Sequence, residues 1–414
     1  MINMQFQPST KPARRFRPRL LLSGALLAAA MAAPAYGAAR KSALGPGVGP
    51  FTVRPGYRVT LVCKSLHEAR FLTFDNHGTL FVSQPGHGRI MALRDPNSHG
   101  VFQKITTFVK GYSTVQGLCA RPGWLWFTQS GAVYRVADNG TGTAGKVITV
   151  IPNGKLPHGG AHWWRSILVG KKHFYTSIGD PQNFSDQTKG PREKIWEYRL
   201  DGTHGQIFCG GLRNTEQLHF RPGTHEIWGC DEGSDQFGYP LGEHPGDQPI
   251  TDMNPPDKFN YYVRGAFYGQ PFITGNRIPR YEYLNKPGVN IIKWAAKTTV
   301  PAWDFHAHWS TVAFCFIKKH YFPGETGDAF VACHGSWDST KKVGYCVARV
   351  LFDKLTGKPF GLLKIVSTLA ANGHTVLARP VDCTQGPDGS VYFTSDSPPR
   401  VYRITYIGPP DASD

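Results

Sequence analysis

A short aromatic strand motif recurs along this chain, first at Thr79-Leu-Phe-Val-Ser83. Its copies are rich in β-branched and aromatic residues, which favour pleated strands. Most copies follow a turn that contains glycine, such as Pro387-Asp-Gly389, and most precede a second strand, such as Arg89-Ile-Met-Ala-Leu93. The five further copies are Trp124-Leu-Trp-Phe-Thr128, His173-Phe-Tyr-Thr-Ser177, Glu226-Ile-Trp-Gly-Cys230, Asp328-Ala-Phe-Val-Ala332 and Ser390-Val-Tyr-Phe-Thr394.

The spacing of the copies predicts an all-β fold, a six-bladed β-propeller. Four of the intervals lie between 45 and 62 residues, the length of one four-stranded blade with its loops. The remaining interval of 102 residues contains a long Pro/Gly-rich insertion between the fourth and fifth repeated strands, at residues 234–297. Because an open ring exposes unpaired strand edges, we expect Tyr57-Arg-Val-Thr-Leu-Val62 to pair with the last strand and close it. The alternative, two unrelated β-sandwiches, would not repeat one motif.

The composition is that of a turn-rich, basic β protein. Of 414 residues, 40 % are apolar and 18 % are charged, which excludes wholesale disorder. The 47 glycines, 32 prolines and 13 % aromatic residues exclude a helical bundle. The formal net charge is +17, but its cations are scattered, without a Lys/Arg run or a recognition helix. We therefore expect no nucleic-acid partner, and either an ordinary basic soluble protein or a basic pocket for an anionic ligand.

Residues 1–38 have the pattern of an export signal peptide. A basic segment from Arg14 to Arg19 precedes an apolar run from Leu20 to Pro34, and small residues follow. The run is short for a bilayer, and no later stretch reaches the ~20 apolar residues that a membrane span requires. We predict a periplasmic or secreted protein, exported by the general or the twin-arginine route. The propeller would occupy residues 39–408 as a single domain, with a short disordered tail at 409–414.

All eight cysteines lie after the predicted signal, in a compartment where disulfides form. None belongs to a Cys-x-x-Cys pair, which argues against a c-type haem, a thioredoxin site and a zinc ribbon. Cys333 and Cys346 flank a turn-rich stretch and could bridge a hairpin. For the other six, buried free thiols and disulfides are both open.

Ligand residues of a propeller are expected in the segments between blades, because these converge on the central channel. Arginines occur in three such segments, as Arg70, Arg213 and Arg379. Converging guanidinium groups would suit a ligand with several carboxylates or phosphates, which they bind bidentately. Salt bridges at blade junctions are the alternative. His162 follows two glycines that would permit close approach of another group; it is either a functional or a structural histidine.

Two pairs of histidines have the spacing of metal ligands. His306 and His308 alternate as on a strand, so that both would point to one side. His158 and His162 have helical spacing, but Gly159-Gly160 between them argue against a helix. No third ligand is evident for either pair.

Several stretches, spread over four blades, resemble the quinoprotein family of glucose and sorbosone dehydrogenases, and more closely its sorbosone-dehydrogenase-like branch. The likeness covers about residues 56–406. It implies a six-bladed propeller that holds pyrroloquinoline quinone (PQQ) and calcium at the top of the channel and oxidises a sugar, an aldose or a sorbosone-type aldehyde. The stretches are Gly160-Ala-His-Trp-Trp-Arg165, Gly211-Leu-Arg-Asn214, Pro255-Pro-Asp257 with Gly265-Ala-Phe-Tyr-Gly269, Gly327-Asp-Ala-Phe-Val331, His334-Gly-Ser-Trp337 and Arg379-Pro-Val-Asp382.

The resemblance also implies roles for individual residues. His162 would be the general base that takes the proton of the substrate hydroxyl while hydride passes to the quinone. Because no haem domain is recognised, electrons would leave to a separate acceptor, a quinone or a cytochrome. The cofactor carries three carboxylates, and its expected ligands are Arg70, Gln116, Arg213, Asn214, Lys342 and Arg379. The expected calcium ligands are Gly233, Ser234 and Asp235.

Two departures from the glucose-dehydrogenase branch leave the function open. That branch has an aspartate before the catalytic histidine and a second arginine two residues after the one matched by Arg379, whereas this chain has Ala161 and Val381. A non-catalytic propeller that binds a glycan or a protein is therefore one alternative. A sugar-lactone hydrolase is the other alternative. Its metal would require acidic and amide ligands around the channel, whereas this sequence places arginines there.

Overall fold

The computed structural model describes residues 50–237, 249–324 and 327–408, and these form six antiparallel sheets of at least four strands. The first strand of each sheet contacts the first strands of two neighbouring sheets, so that the six first strands close into a ring. This arrangement confirms the predicted six-bladed β-propeller. The predicted signal peptide and tail lie outside the described residues.

The blades follow one another in chain order. The chain enters through β1 (Thr52–Val53) and β2 (Tyr57–Cys63). Blade 1 consists of β3 (Leu72–Phe74), β4 (Leu80–Gln84), β5 (Arg89–Pro96) and β6 (Phe102–Lys110). Blade 2 consists of β7 (Leu118–Arg121), β8 (Trp124–Gln129), β9 (Ala132–Asp138) and β10 (Ala144–Ile151). Blade 3 consists of β11 (Leu168–Val169), β12 (His173–Ile178), β13 (Lys194–Arg199) and β14 (Gln206–Gly210).

Blade 4 is interrupted by helices and a small hairpin, and blades 5 and 6 complete the ring. Blade 4 consists of β15 (Leu218–Phe220), β16 (Ile227–Asp231), β17 (Pro256–Tyr262) and β20 (Trp303–Ala307), interspersed with α1 (Pro249–Met253), the hairpin β18 (Ile273–Thr274) and β19 (Ile278–Pro279), and α2 (Ile291–Lys297). Blade 5 contains β21 (Thr311–Phe316), β22 (Ala329–Cys333), β23 (Cys346–Phe352) and β24 (Pro359–Ser367). Blade 6 contains β25 (Pro380–Gln385), β26 (Val391–Asp396) and β27 (Pro399–Tyr406). Short 3₁₀ turns occur at Pro85–His87 and Tyr281–Tyr283.

The repeated motif is the second strand of every blade: β4, β8, β12, β16, β22 and β26. Second strands lie inside their sheets and are covered on both faces by neighbouring blades, which is why the motif is apolar rather than alternating. Phe81, Phe127 and Phe174 are fully buried, and each such ring contributes about 2–3 kcal/mol to folding. Aromatic pairs bridge adjacent blades, for example Trp126 with Phe174, whose ring centroids are 5.6 Å apart.

The ring closes as predicted. The N-terminal strand β2 pairs antiparallel with β27, from Tyr57 opposite Tyr406 to Cys63 opposite Val401, and becomes the fourth strand of blade 6. β1 pairs with β24 and extends blade 5. Closure thus joins residues from opposite ends of the sequence and covers the edge that an open ring would leave.

The predicted insertion at residues 234–297 needs correction, because β17 lies within it and is the third strand of blade 4. Pro255-Pro256 concealed the strand, since proline is unusual in strands except at their first residue. After Pro256, four consecutive residues of β17 are buried against the neighbouring strands. The insertion is therefore two segments, one on either side of a blade strand.

The eight cysteines are all thiols in this structure. Cys333 and Cys346 lie directly opposite each other on β22 and β23, so the sequence correctly identified them as neighbours across a hairpin, but no bond joins them. Their burial raises the pKa of the Cys333 thiol, which keeps it protonated and unreactive. Among the described residues, no helix is both long and apolar enough to cross a membrane.

Candidate active site at one end of the channel

One end of the propeller collects most of the predicted site residues. In an antiparallel blade, the segment that leads into the first strand and the loop between the second and third strands emerge at the same end. Arg70, Gln116, Arg213 and Arg379 all precede first strands, of blades 1, 2, 4 and 6. The loops after β16 and β22 meet these segments and enclose a cavity of about 120 Å³. Its lining includes His162, Arg213, Glu232, Asp235, Asp257 and His308.

His162 lies in the segment between blades 2 and 3 and is 8 % exposed. Its Nδ1 donates to the backbone carbonyl of Asp180 at 2.8 Å, which leaves Nε2 as the proton acceptor. Burial, and then the positive charge of Arg213, lower the pKa of His162 to about 4. The imidazole is therefore neutral near pH 7 and oriented, as a general base must be.

The position of His162 depends on two close contacts. Gly179 leaves room for it, because a Cβ at that residue would lie 2.8 Å from the Cβ of His162 and 2.9 Å from the carbonyl oxygen of Arg213. The fully buried Arg165 holds the same segment from within: its guanidinium donates to the carbonyls of Trp164, at 2.6 Å, and of His162, at 3.3 Å. Any larger residue at 179 would displace the imidazole or the Arg213 backbone.

The three predicted arginines occupy different parts of this end of the channel. Arg213 lines the cavity and donates to Asp235 and to the side chain of Asn183, each at 2.9 Å. Arg379 donates to the carbonyls of His334 and Gly335, both at 3.4 Å, and Gly335 also lines the cavity. Arg213 thus shares the cavity with His162, while Arg379 supports the cavity wall formed by the loop after β22.

Arg70 is held by acidic residues at the channel axis. It forms salt bridges with Asp396, at 2.8 Å, and with Glu216, at 3.4 Å, and its guanidinium stacks on Trp164 at 4.5 Å. Asp396 also lies 3.0 Å from Nε2 of His334. His334 and Asp396 therefore form a second polar cluster. The charges of Arg70 and Arg379, two of the three predicted arginines, act on His334 in this cluster.

Glu216 is a central residue that the sequence analysis missed. It accepts hydrogen bonds from the amide nitrogens of Gln116, at 3.2 Å, and Asn214, at 3.0 Å, in addition to its contact with Arg70. Burial raises its pKa to about 8, against the opposing effect of the Arg70 charge. Three residues predicted from three blades therefore meet at one carboxyl. The available signal was the spacing: Glu216 is two residues beyond Asn214, and alternate residues of an extended segment share a side.

The predicted metal ligands meet the cavity in part. Gly233 and Asp235 line it, whereas the hydroxyl of Ser234 accepts a hydrogen bond from the buried Arg280 instead. The sequence analysis overlooked two further carboxylates in the lining, Glu232 and Asp257. Burial and the nearby charge of Glu232 raise the pKa of Asp257 to about 7, as expected where acidic groups crowd without a cation.

The geometry corrects one other prediction and places another predicted residue outside the cavity lining. His306 and His308 do not point to one side, because β20 ends at Ala307 and His308 turns away with a φ of 61°. His306 is exposed, and His308 is buried in the cavity wall. Lys342 is exposed in the loop after β22 and lies outside the cavity lining. Its predicted role as a cofactor ligand has no support from this position.

Comparisons with known proteins agree with this fold. A family model described as TrAA12-like matches residues 51–275 and 290–406. An uncharacterised protein of Borreliella burgdorferi is 27 % identical over 252 residues, which are 59 % of this chain and 61 % of that protein. The chain thus spans less than two thirds of the length of this relative.

Two solved structures are similar at lower identity. The first is the calcium structure of a family AA12 carbohydrate-active enzyme from Trichoderma reesei, with a TM-score of 0.73, 20 % identity, and coverage of 86 % of this chain and 97 % of that one. The second is the holo form of the PQQ domain of a pyranose dehydrogenase from Coprinopsis cinerea, with a TM-score of 0.74, 18 % identity, and coverage of 87 % and 98 %. The family match covers most of the described propeller, and the chain therefore belongs to the TrAA12-like family.

Proposed function

We propose that this protein is a PQQ-dependent oxidoreductase that oxidises a sugar, an aldose or a sorbosone-type aldehyde, with His162 as the general base. The observation that carries the proposal is the imidazole of His162, which is neutral, fixed in one tautomer and exposed to a cavity beside Arg213. Membership of the TrAA12-like family and the fold of the fungal PQQ domain support the same chemistry. We further propose export to the periplasm or medium, and electron transfer to a separate acceptor.

The residues around the cavity fit an anionic quinone and a divalent cation. Arg213 offers a guanidinium in the cavity wall, and the Nε of Arg70 is buried without a hydrogen-bond partner among the described residues. The guanidinium of Arg213 suits a carboxylate of the cofactor, whereas Arg70 lies outside the cavity lining and is paired with Glu216 and Asp396. Glu232, Asp235 and Asp257 supply the oxygen atoms that Ca²⁺ prefers. When bound, PQQ supplies a two-electron acceptor for the hydride of the substrate.

The chain itself supplies the proton acceptor and the walls of the site. Nε2 of His162 would take the proton of the substrate hydroxyl as hydride leaves the substrate carbon, and the bond from Nδ1 to Asp180 would hold the ring in position. Burial, together with the positive charge of Arg213, keeps the imidazole neutral before the reaction. The exposed indole of Trp337 stands at the mouth of the cavity, where an apolar face of a sugar ring can rest.

Reconstitution tests this function. Purified protein is stripped of metal, titrated with PQQ in the presence of Ca²⁺, and assayed with an artificial electron acceptor and a panel of aldoses. We expect saturable PQQ binding and sugar-dependent dye reduction. Saturable binding without turnover on any sugar would favour a non-catalytic propeller instead, and absence of PQQ binding would overturn the proposal.

The pH dependence of the reconstituted enzyme provides a second test. Because the folded-state pKa of His162 lies near 4, below its ordinary value of 6.5, kcat/KM should hold constant from neutral pH down to about 5 and fall as the pH passes through about 4. Replacing Arg213 by glutamine removes a charge that opposes protonation, so the acid limb should move to higher pH. An acid limb near 6.5 in the wild type, or one that does not move in Arg213→Gln, would contradict this assignment.

A further inference from the structure

A second group of polar side chains lies at the wall of the same cavity, where two of its three members are lining residues. It consists of Asp235 from the loop after β16, His308 from the segment before β21, and Asp338 from the loop after β22. One ring nitrogen of His308 and one carboxylate oxygen of each aspartate lie within 4.8 Å of one another. Residues from two blades, far apart in sequence, thus place three potential metal ligands around one point.

Each of these side chains is oriented by a hydrogen bond from its other side. His308 donates Nε2–H to the backbone carbonyl of Thr251 in α1 at 2.7 Å, which leaves Nδ1 as the nitrogen with a free lone pair. Asp338 accepts the backbone N–H of Gln236 through Oδ2 at 2.6 Å, and Asp235 accepts Arg213 through Oδ2 at 2.9 Å. A carbonyl behind the imidazole and donors behind the carboxylates are the usual supports of metal ligands in proteins.

His308 lines the cavity and is almost fully buried. The residue is 9 % exposed, and among the described residues its Nδ1 forms no hydrogen bond. One of the ring nitrogens of His308 lies within 4.8 Å of two carboxylate oxygens, an arrangement that a divalent cation would stabilise.

The local charge also favours a cation. Although the whole chain has a net charge of +17, the cavity wall carries the carboxylates of Glu232, Asp235 and Asp257, with Asp338 beside them. Arg213 is the cation that the same wall contributes, and it is already paired with Asp235. A divalent ion between Asp235 and Asp338 would add positive charge to this acidic wall.

We propose that Asp235, His308 and Asp338 bind a divalent transition metal ion of the Zn²⁺ class, at a site that shares only Asp235 with the ligands expected for calcium. One nitrogen and two carboxylate oxygens suit Zn²⁺, whereas Ca²⁺ prefers ligands that are all oxygen. Zn–N and Zn–O distances are about 2.0–2.2 Å, so the three ligand atoms draw together by a small amount when the ion binds. The site does not depend on PQQ, and it is tested in protein that has not been reconstituted.

The test uses chelator-treated, full-length protein without PQQ. Zn²⁺ is titrated by calorimetry with metal content measured by mass spectrometry, and Co²⁺ serves as a spectroscopic probe because its visible absorption reports nitrogen and oxygen ligands. We expect one equivalent of Zn²⁺ in the wild type. We expect a loss of at least about 100-fold in Zn²⁺ affinity in His308→Ala, and a change of the Co²⁺ spectrum in Asp338→Asn. Ca²⁺ affinity should change little in His308→Ala.

The matched control is His306→Ala, since His306 is exposed and lies outside the cavity. It should bind Zn²⁺ like the wild type. Circular dichroism of each variant verifies that the propeller has folded, and His308→Gln, which keeps the volume, replaces His308→Ala if the latter does not fold. No Zn²⁺ binding in the wild type, or unchanged binding in the His308 and Asp338 variants, would overturn the site. Neither result bears on PQQ binding, which the reconstitution experiment measures separately.

Discussion

The variant His162→Ala is expected to lose sugar oxidation almost completely while it still binds PQQ. The imidazole is the proton acceptor that the structure orients toward the cavity, through the 2.8 Å bond from Nδ1 to the carbonyl of Asp180. Removal of a general base typically lowers kcat by about 10²–10⁴-fold. The hydrogen bond of its Nδ1 goes to a backbone carbonyl rather than to a residue expected to hold the cofactor, so cofactor affinity should change by less than about tenfold, on the order of 1.4 kcal/mol. Steady-state kinetics and fluorescence titration with PQQ measure the two effects separately.

His158→Ala is the matched control for this variant. His158 lies four residues earlier on the same segment, is exposed, and contacts the carbonyl of Leu156 rather than the cavity. It should keep wild-type kcat and KM. If His162→Ala retains activity, the proton acceptor is another group, and the His334–Asp396 pair, 3.0 Å apart, becomes the next candidate to replace.

The variant Glu216→Ala is expected to destabilise the propeller by about 3 kcal/mol, since removal of the shared carboxyl leaves buried hydrogen-bond donors without their acceptor. Arg70, Gln116 and Asn214 all contact this carboxyl. They lie in the segments that lead into blades 1, 2 and 4, so the cluster connects three blades. Urea unfolding measures the change in the free energy of unfolding. An effect below about 0.5 kcal/mol, the range of ordinary surface changes, would show that the cluster does not hold the blades together.

Glu216→Gln separates hydrogen bonding from charge in the same cluster. The folded-state pKa of Glu216 is near 8, above its ordinary value of 4.5, so between these values the folded chain holds a proton that the unfolded chain has lost. The contribution of Glu216 to wild-type stability is therefore fully present below about 4.5 and is lost as the pH rises toward 8. Glutamine cannot ionise, so the stability difference between Glu216→Gln and the wild type should shift in favour of the variant as the pH rises. A constant difference from pH 5 to 8 would contradict the raised pKa.

Some of the site could be predicted from the sequence because propeller topology itself restricts where ligand residues lie. The motif that begins at Thr79 repeats because each second strand meets the same environment, buried between two blades, and such an environment selects the same residue types six times. Once the repeat sets the strand positions, the segments that contain Arg70, His162, Arg213 and Arg379 must converge at one end of the channel. A short local motif therefore determined a global arrangement.

The partners of those residues were settled by tertiary structure alone. Whether Arg70 faces a ligand or a carboxylate depends on Glu216 and Asp396, which are 146 and 326 residues away from it, and no local pattern reports such a distance. His308 illustrates the same limit: strand alternation paired it with His306, but a single backbone reversal at φ 61° turned it toward Asp235 and Asp338.

The sequence by itself determined the number of blades, the closing strand and the end of the ring where polar residues gather, because these follow from periodic burial along the chain. Only the folded molecule decided which charged groups pair, that a blade strand begins at Pro256, and that Arg70, Gln116 and Asn214 meet at the carboxyl of Glu216. Periodicity is encoded locally, whereas charge pairing and side-chain orientation arise from contacts between residues that come together only after the ring has closed.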